Sequence, residues 1–179
     1  STCYIGSLTQ ARGIEQCIEA SDEAGATLHL AGTFSSTEYQ RQVMKKQMGE
    51  HIIYHGMLGR KQVADLLLSS QIGLYLLQDV GQYLKLETLG IKAYEYMSMG
   101  LPVVMSYSPY NRAVMEKYNF GICVDPKNVE EIASAIRYLL DHPEESRQMG
   151  ENGRRAVKEE FNWDVEEKKL LALYTELLK

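Results

Sequence analysis

The sequence predicts an α/β domain built on a doubly wound parallel β-sheet of six strands, a Rossmann-like fold with helices on both faces. Short apolar runs alternate with amphipathic stretches along the chain, and glycine or proline marks the boundaries between several of them. The apolar runs are nearly continuous rather than alternating with polar residues. Continuous runs of this kind are typical of parallel strands that helices bury on both faces.

Strands and helices are predicted in alternation over most of the chain. The strands are predicted at residues 3–6, 27–31, 52–55, 72–77, 102–105 and 121–124. The helices are predicted at residues 13–24, 37–48, 61–69, 90–99, 113–118, 129–140, 143–161 and 163–178, so the C-terminal third is helical. Gly25 and Gly100 are placed to end helices, and Asn128 is placed to cap the helix that follows it.

Length and composition favour one ordinary globular domain, residues 1–179. The formal net charge is −5, and no stripe of Lys and Arg indicates a nucleic-acid partner. The three cysteines form no Cys-x-x-Cys pair, so we expect reduced core residues in a reducing compartment. No segment has the apolar length of a membrane span, and no signal peptide is evident. Because the chain opens on residues typical of a strand, we expect it to be a piece of a longer protein.

Residues 87–104 are the most informative segment, because a loop precedes a predicted helix and Gly-Leu-Pro-Val-Val then leads into a strand. In an open parallel sheet, ligands bind beyond the carboxyl ends of the strands. The helix start at Gly90 would direct free amides at a phosphate there. Glu95 can accept both hydrogens of a ribose diol, and Glu87 would face a sugar. The alternative is that both are surface acids.

Further candidates follow three other predicted strands. Arg12 precedes the first helix, and its planar guanidinium suits phosphate oxygens, although a solvated loop cation is the alternative. Gly32 and Gly56 end strands at points where backbone can approach a ligand closely, although simple turns would look the same. Lys92 can reach either a phosphate or Glu95 one turn along its helix.

Two motifs resemble a known family. Two glutamates with seven residues between them, followed by a helix that ends in Met-x-x-Gly-x-Pro-Val-Val, resemble the donor-site motif of retaining glycosyltransferases with the GT-B fold. Gly6-Ser7-Leu8, followed by Arg12-Gly13, is similar to the first loop of the large glycosyl transferases group 1 family. The resemblance implies one half of a GT-B fold, namely the C-terminal half that binds the nucleotide sugar.

The resemblance also implies roles for residues. Glu87 would contact the donor sugar, Glu95 would hold the ribose, and Arg12 would reach the pyrophosphate. The predicted catalytic residues are Glu87, Arg12 and Lys92. The predicted donor-binding residues are Gly6, Ser7, Gly13, Gly32, Gly56, Met57, Leu58, Thr88, Leu89, Gly90, Ile91 and Glu95. Ser7 departs from the family pattern, because many members carry a second basic residue there.

The implied reaction is retaining transfer of a sugar from a nucleoside diphosphate sugar to an acceptor, in polysaccharide or glycoconjugate biosynthesis. We expect no metal and no cofactor, because cations and helix amides would stabilise the leaving diphosphate. The acceptor would bind an absent N-terminal domain, so the isolated domain would be nearly inactive. We expect a cytoplasmic location, and for the full-length protein this includes the inner face of a membrane. Three alternatives stay open: a nucleotide-sugar epimerase half, a non-catalytic nucleotide-sugar-binding module and a flavodoxin-like signalling domain.

Overall fold

A computed structural model describes residues 1–47, 51–81 and 85–178 of the chain. It contains a six-stranded parallel sheet in the order β3-β2-β1-β4-β5-β6. The strands are β1 (Thr2–Ile5), β2 (Leu28–Ala31), β3 (Ile52–Tyr54), β4 (Ile72–Tyr75), β5 (Val103–Ser106) and β6 (Gly121–Val124). β1 pairs with both β2 and β4, so the strand order reverses between β1 and β4. Such a reversal is where open α/β sheets form their ligand crevice.

Helices connect the strands and continue to the end of the described chain. They are α1 (Ile14–Glu23), α2 (Thr37–Gln47), α3 (Arg60–Ser69), α4 (Ile91–Ser98), α5 (Pro109–Tyr118), α6 (Val129–Asp141), α7 (Pro143–Glu159) and α8 (Trp163–Leu177). A short 3-10 turn at Gln10–Arg12 leads from β1 into α1. The predicted α/β class, strand count and helical C-terminal third are therefore confirmed.

Two hydrophobic cores lie on opposite faces of the sheet. Strand residues such as Leu28 and Leu74 pack with α1 and α6 on one face, and the buried Val43 of α2 joins them. Cys3 and Met105 point to the other face, where the buried residues come from α3, α4, α5 and α7. Side chains alternate between the two faces of a strand, so continuous apolar runs supply both cores.

Among the predicted boundaries that differ from the structure, two have identifiable reasons. Helix α5 begins at Pro109 rather than at residue 113, because the Ser108 hydroxyl accepts a hydrogen bond from the Asn111 amide (3.0 Å) and caps the helix. β4 ends at Tyr75 rather than at residue 77, because its ladder with β5 stops there. Beyond that point the Ser106 hydroxyl donates to the Leu77 carbonyl (2.7 Å) in place of a ladder bond. Met48, the predicted end of the second helix, lies outside the described residues.

Helix α8 adds no buried side chain to either core. Val165 is half-buried, and the other residues of α8 are exposed, among them Trp163 at 67% and Leu177 at 71%. The Asn162 side chain caps the helix by accepting from the Val165 amide (3.1 Å). Across the part of the chain that is described, none of the helices has the length and apolar character that crossing a membrane requires.

Candidate functional site

A crevice opens at the carboxyl ends of β1 to β4, where the strand order reverses. Its larger chamber, of about 650 Å³, is bounded by β1, α3 and α4, and a smaller chamber of about 250 Å³ adjoins it beside β2. We call both together the α3–α4 crevice. Its lining residues are Ile5, Gly6, Ser7, Ala31, Gly32, Thr33, Met57, Leu58, Arg60, Val63, Ala64, Leu67, Ile91, Lys92, Glu95, Ser98 and Met99.

The Lys92 side chain lies across the backbone of Gly6. Gly6 follows β1 directly with φ +136°, and a Cβ atom at this position would overlap Cε of Lys92. Only glycine adopts this backbone conformation readily, and only glycine leaves room for the lysine. Nζ of Lys92 lies 5.9 Å from the centroid of the Tyr4 ring. The predicted residues Gly6, after β1, and Lys92, in the helix after β4, therefore come from the two sides of the strand-order reversal and make contact in the crevice.

The surroundings of Lys92 destabilise its charged ammonium group, which favours the binding of an anion. Burial lowers its pKa below the ordinary lysine value, and the nearby Arg12 guanidinium lowers it further, while the Glu95 carboxylate opposes both effects. Within the described chain, Glu95 forms no ion pair with Lys92 at salt-bridge distance. A desolvated cation beside a second cation gains stability when an anion binds between them.

The N-terminus of α4 has no side-chain cap. Gly90 is its N-cap residue, and a Cβ atom there would overlap the Tyr75 hydroxyl, which explains why this residue is glycine. Leu89, just before it, is 2% exposed and anchors the loop in the core. The first two helical residues, Ile91 and Lys92, line the crevice. The positive end of the α4 dipole is therefore available to a ligand in the crevice.

Glu95 lines the same chamber as Lys92. The two residues are three apart on α4 and consequently share a helix face. Glu95 is exposed, so its carboxylate keeps its lone pairs available for hydroxyl donors. A carboxylate, an ammonium group and an uncapped helix start thus open into one hollow.

The smaller chamber is built almost entirely from loop backbone and apolar side chains. Ser7, Gly32, Met57 and Leu58, all predicted site residues, line it. Gly56 positions this wall, since its carbonyl accepts a hydrogen bond from the Gly32 amide (2.7 Å). The Tyr54 hydroxyl donates to the Gly32 carbonyl (3.0 Å) and the Tyr4 hydroxyl to the Ser7 carbonyl (3.0 Å).

Several predicted residues are near the crevice without lining it. Among the described residues, the lining omits Arg12, Gly13, Gly56, Glu87, Thr88, Leu89 and Gly90. Arg12 lies in the 3-10 turn, hydrogen-bonded to the Tyr4 phenol, whose pKa is raised by burial against the opposing effect of Arg12. Glu87 is exposed.

The charge of Glu87 acts on a tyrosine of α5. The pKa of Tyr110 on α5 is raised chiefly by burial, then by Tyr94 and Tyr118, and finally by the charge of Glu87. The two glutamates of the sequence motif therefore do not line one chamber: Glu95 does, and Glu87 stands beyond the start of α4.

The sequence reasoning missed one whole wall of the crevice. Arg60, Val63 and Leu67 of α3 line it opposite α4. Arg60 is the first residue of α3 and follows Gly59 just beyond the carboxyl end of β3. That position was a detectable signal, because residues at the carboxyl ends of parallel strands and at the helix starts behind them converge on the crevice.

A second hollow occupies the other half of the same sheet edge. Two chambers of about 400 and 420 Å³ share Asp79 and Lys127, and we call them the α1–α6 groove. Its charged lining residues are Glu15, Asp79, Asp125, Lys127 and Glu131, so four carboxylates face one ammonium group. Residues 1–47, 51–81 and 85–178 contain no cluster of three His, Cys, Asp or Glu side chains placed to hold a metal ion.

Comparisons with known proteins identify the family of the chain and relatives of its fold. The model of the family described as glycosyl transferases group 1 matches residues 1–156. An uncharacterized glycosyltransferase of Methanocaldococcus jannaschii is 26% identical over 176 residues, which cover 96% of this chain and 43% of that protein.

Solved structures share the fold. Sucrose-phosphate synthase from Thermosynechococcus elongatus superposes with a TM-score of 0.77 at 23% identity, over 97% of this chain and 45% of its own. The Anabaena protein HepE in complex with UDP-glucose superposes with a TM-score of 0.74 at 17% identity, over 96% of this chain and 48% of its own. The chain thus spans less than half the length of each of these relatives.

Proposed function

Because the chain belongs to the glycosyl transferases group 1 family, we propose that its α3–α4 crevice binds the nucleoside diphosphate sugar donor of a glycosyltransferase. The observation that carries this proposal is that Lys92, Glu95 and the first residue of α4, whose N-terminus has no side-chain cap, line the same chamber. Diphosphate, ribose and base are one connected ligand, so the groups that bind them must open into one space. HepE, which has the same fold, is solved with UDP-glucose.

The ligand can be placed by matching each part to its chemical partner. The diphosphate lies at the start of α4 beside Lys92, where an ammonium group and helix amides meet. The ribose diol donates to the Glu95 carboxylate through charge-assisted hydrogen bonds. The donor sugar extends past the start of α4 towards Glu87. The base extends towards Met57 and Leu58 and meets the α3 wall at Val63, since Leu58 and Val63 line both chambers.

The proposed reaction transfers the sugar to an acceptor with retention of anomeric configuration, in polysaccharide or glycoconjugate synthesis. Breaking the bond between the anomeric carbon and the phosphate oxygen leaves negative charge on the diphosphate. Lys92, the neighbouring Arg12 and the α4 amides stabilise that charge in place, so the mechanism requires no metal. Predicted backbone contacts from Thr88 to Ile91 belong to the same diphosphate site.

The residues that bind the acceptor belong, in this proposal, to a separate N-terminal domain. Without it, the single domain of residues 1–179 binds donor but transfers sugar very slowly, because the acceptor is not oriented. We also propose a cytoplasmic location. Its support is that Cys3, Cys17 and Cys123 are free thiols, whereas oxidising compartments favour disulfides.

A non-catalytic module that only binds a nucleotide sugar is the second candidate function. Ser7 favours it, because this exposed serine supplies no charge where many family members carry a cation. The two candidates differ in a simple outcome. A transferase gives sugar transfer when the full-length protein is assayed with its donor, whereas a binding module gives none.

Calorimetric titration of the chain with UDP, GDP, ADP and CDP tests donor binding. We expect at least one diphosphate to bind, equally well with and without EDTA. Glu95→Gln is expected to weaken it about ten- to a hundredfold, since it removes a charged acceptor. Glu159→Gln, an exposed change on α7, is the matched control and leaves binding unchanged. Binding that survives Glu95→Gln unaltered contradicts the ribose assignment, and loss of binding in EDTA contradicts metal independence.

A further inference from the structure

The α3 wall of the crevice carries one charged side chain, Arg60. We infer that Arg60 is a specificity-determining residue that contacts the base of the donor and selects keto bases, guanine or uracil, over the amino bases adenine and cytosine. This inference rests on the proposed function, because it assumes that a nucleoside diphosphate occupies the crevice. It goes further in naming the class of base and the residue that distinguishes it.

The two walls of the crevice differ in chemistry. The α4 wall presents Lys92 and Glu95, which match a diphosphate and a ribose. The α3 wall presents Arg60, Val63 and Leu67, one cation and two apolar side chains at helical spacing. With diphosphate and ribose held by α4, the part of the ligand left to meet α3 is the base. A base has flat apolar faces and a polar edge, and this wall offers a partner for each.

Helix electrostatics argue against a purely structural role for Arg60. It is the first residue of α3, and no acidic residue occupies the first turn of that helix. A cation at a helix N-terminus opposes the helix dipole, which favours acids there. No carboxylate of the described chain lies within salt-bridge distance of Arg60. An anionic or acceptor-bearing ligand in the crevice would satisfy its guanidinium instead.

The donor-only chemistry of arginine determines which bases fit. A guanidinium group offers five N–H donors and no acceptor. Guanine at O6 and uracil at O4 present a carbonyl acceptor, whereas adenine at N6 and cytosine at N4 present an amino donor on the same ring edge. At this exocyclic position arginine donates to a keto oxygen but meets a second donor in an amino group, so the keto bases are preferred.

The experiment is a calorimetric titration of GDP, UDP, ADP and CDP into the wild-type chain, Arg60→Met and Lys61→Met. Arg60→Met keeps an apolar stem and removes the donors. Lys61→Met removes the same charge from the next residue, which is exposed and does not line the crevice. We expect wild type to bind the better keto nucleotide about ten- to a hundredfold more tightly than ADP or CDP. In Arg60→Met that preference disappears while ADP and CDP affinities stay unchanged, and Lys61→Met retains it.

Each contrary outcome has a distinct meaning. If wild type prefers ADP or CDP, the base selection is wrong while donor binding stands. If Arg60→Met weakens all four diphosphates by the same factor, Arg60 contacts the diphosphate rather than the base, and the inference is overturned. If no diphosphate binds the wild-type chain, the proposed function fails and the inference fails with it.

Discussion

The α3–α4 crevice and the α1–α6 groove lie on the same edge of the same sheet, and both are formed by loops at carboxyl ends of parallel strands. The crevice carries Arg60, Lys92 and Glu95 as its charged lining residues. The groove carries four carboxylates and only Lys127. The backbone arrangement is thus common to both hollows, whereas the sign of the charge is opposite.

This difference shows which feature selects a phosphate ligand. Topology places both hollows where ligands can bind, but an anion entering the groove would meet Asp79, Asp125 and Glu131. In the crevice it meets a desolvated lysine and the positive end of α4. The net charge of −5 on the whole chain is therefore uninformative about the crevice, because local charges dominate at short distance.

The largest expected effect that tests this contrast comes from Lys92→Met in the crevice, compared with Lys127→Met in the groove. Lys92→Met is expected to weaken diphosphate binding about ten- to a hundredfold, because it removes a charge-assisted hydrogen bond and a desolvated counter-charge. Lys127→Met removes the same charge from the groove and is expected to leave affinity unchanged. Titration calorimetry with the tightest-binding diphosphate measures both. A loss of affinity in Lys127→Met with none in Lys92→Met would place the diphosphate in the groove.

A smaller effect is expected from Gly6→Ala, which adds a methyl group against Cε of Lys92 at a backbone φ of +136°. The strained backbone is expected to cost about 1–2 kcal/mol of unfolding free energy. The displaced lysine is expected to lower diphosphate affinity about tenfold, less than its removal does.

Gly25→Ala is the matched control for Gly6→Ala, because Gly25 also has positive φ (+65°) but has open space around it. It is expected to lose comparable stability in a denaturant titration and to bind diphosphate normally. If Gly25→Ala lost binding as well, the effect at Gly6 would be one of general stability, and the specific contact with Lys92 would be unsupported.

The smallest effect is expected from pH. The Lys92 pKa is lowered by burial and by Arg12, so its ammonium group loses its proton at a lower pH than an ordinary lysine. Diphosphate affinity is therefore expected to be highest below that pKa and to fall a few-fold as the pH rises through it, with proton uptake on binding. In Lys92→Arg the decline should vanish, because guanidinium stays charged. If diphosphate affinity in Lys92→Arg still fell with pH as in the wild type, a group other than Lys92 would be responsible for the pH dependence.

The fold was predictable because local sequence carries its main determinants. Continuous apolar runs identified all six strands, and Asn128 correctly marked the start of α6. The error at α5 was one of local interpretation, since Ser108-Pro109 is itself a cap signal. The site was only partly predictable. Lys92 and Glu95 were identified from their positions near a helix start and Gly6 from the family resemblance of the first loop. The structure brings all three into one crevice, while their roles in binding stay predictions.

Contacts between distant segments were beyond the reach of the sequence. His29 and His55 are one example, since Nδ1 of the first lies 3.0 Å from Nε2 of the second across neighbouring strands. Arg60 is a partial example: its location at a helix start behind β3 was a detectable signal, but its position across the crevice from Glu95 depends on how α3 and α4 pack over the sheet.

The sequence by itself determined the family, the parallel α/β architecture and the polar residues near each strand end, because these depend on short-range patterns of apolar and polar residues. Only the tertiary structure decided which of those residues share a hollow. It placed Lys92 across Gly6, left Glu87 outside the lining of the crevice and supplied Arg60 from α3. The physical reason is that helix packing and strand order position side chains from separate segments, and no local pattern encodes the distance between them.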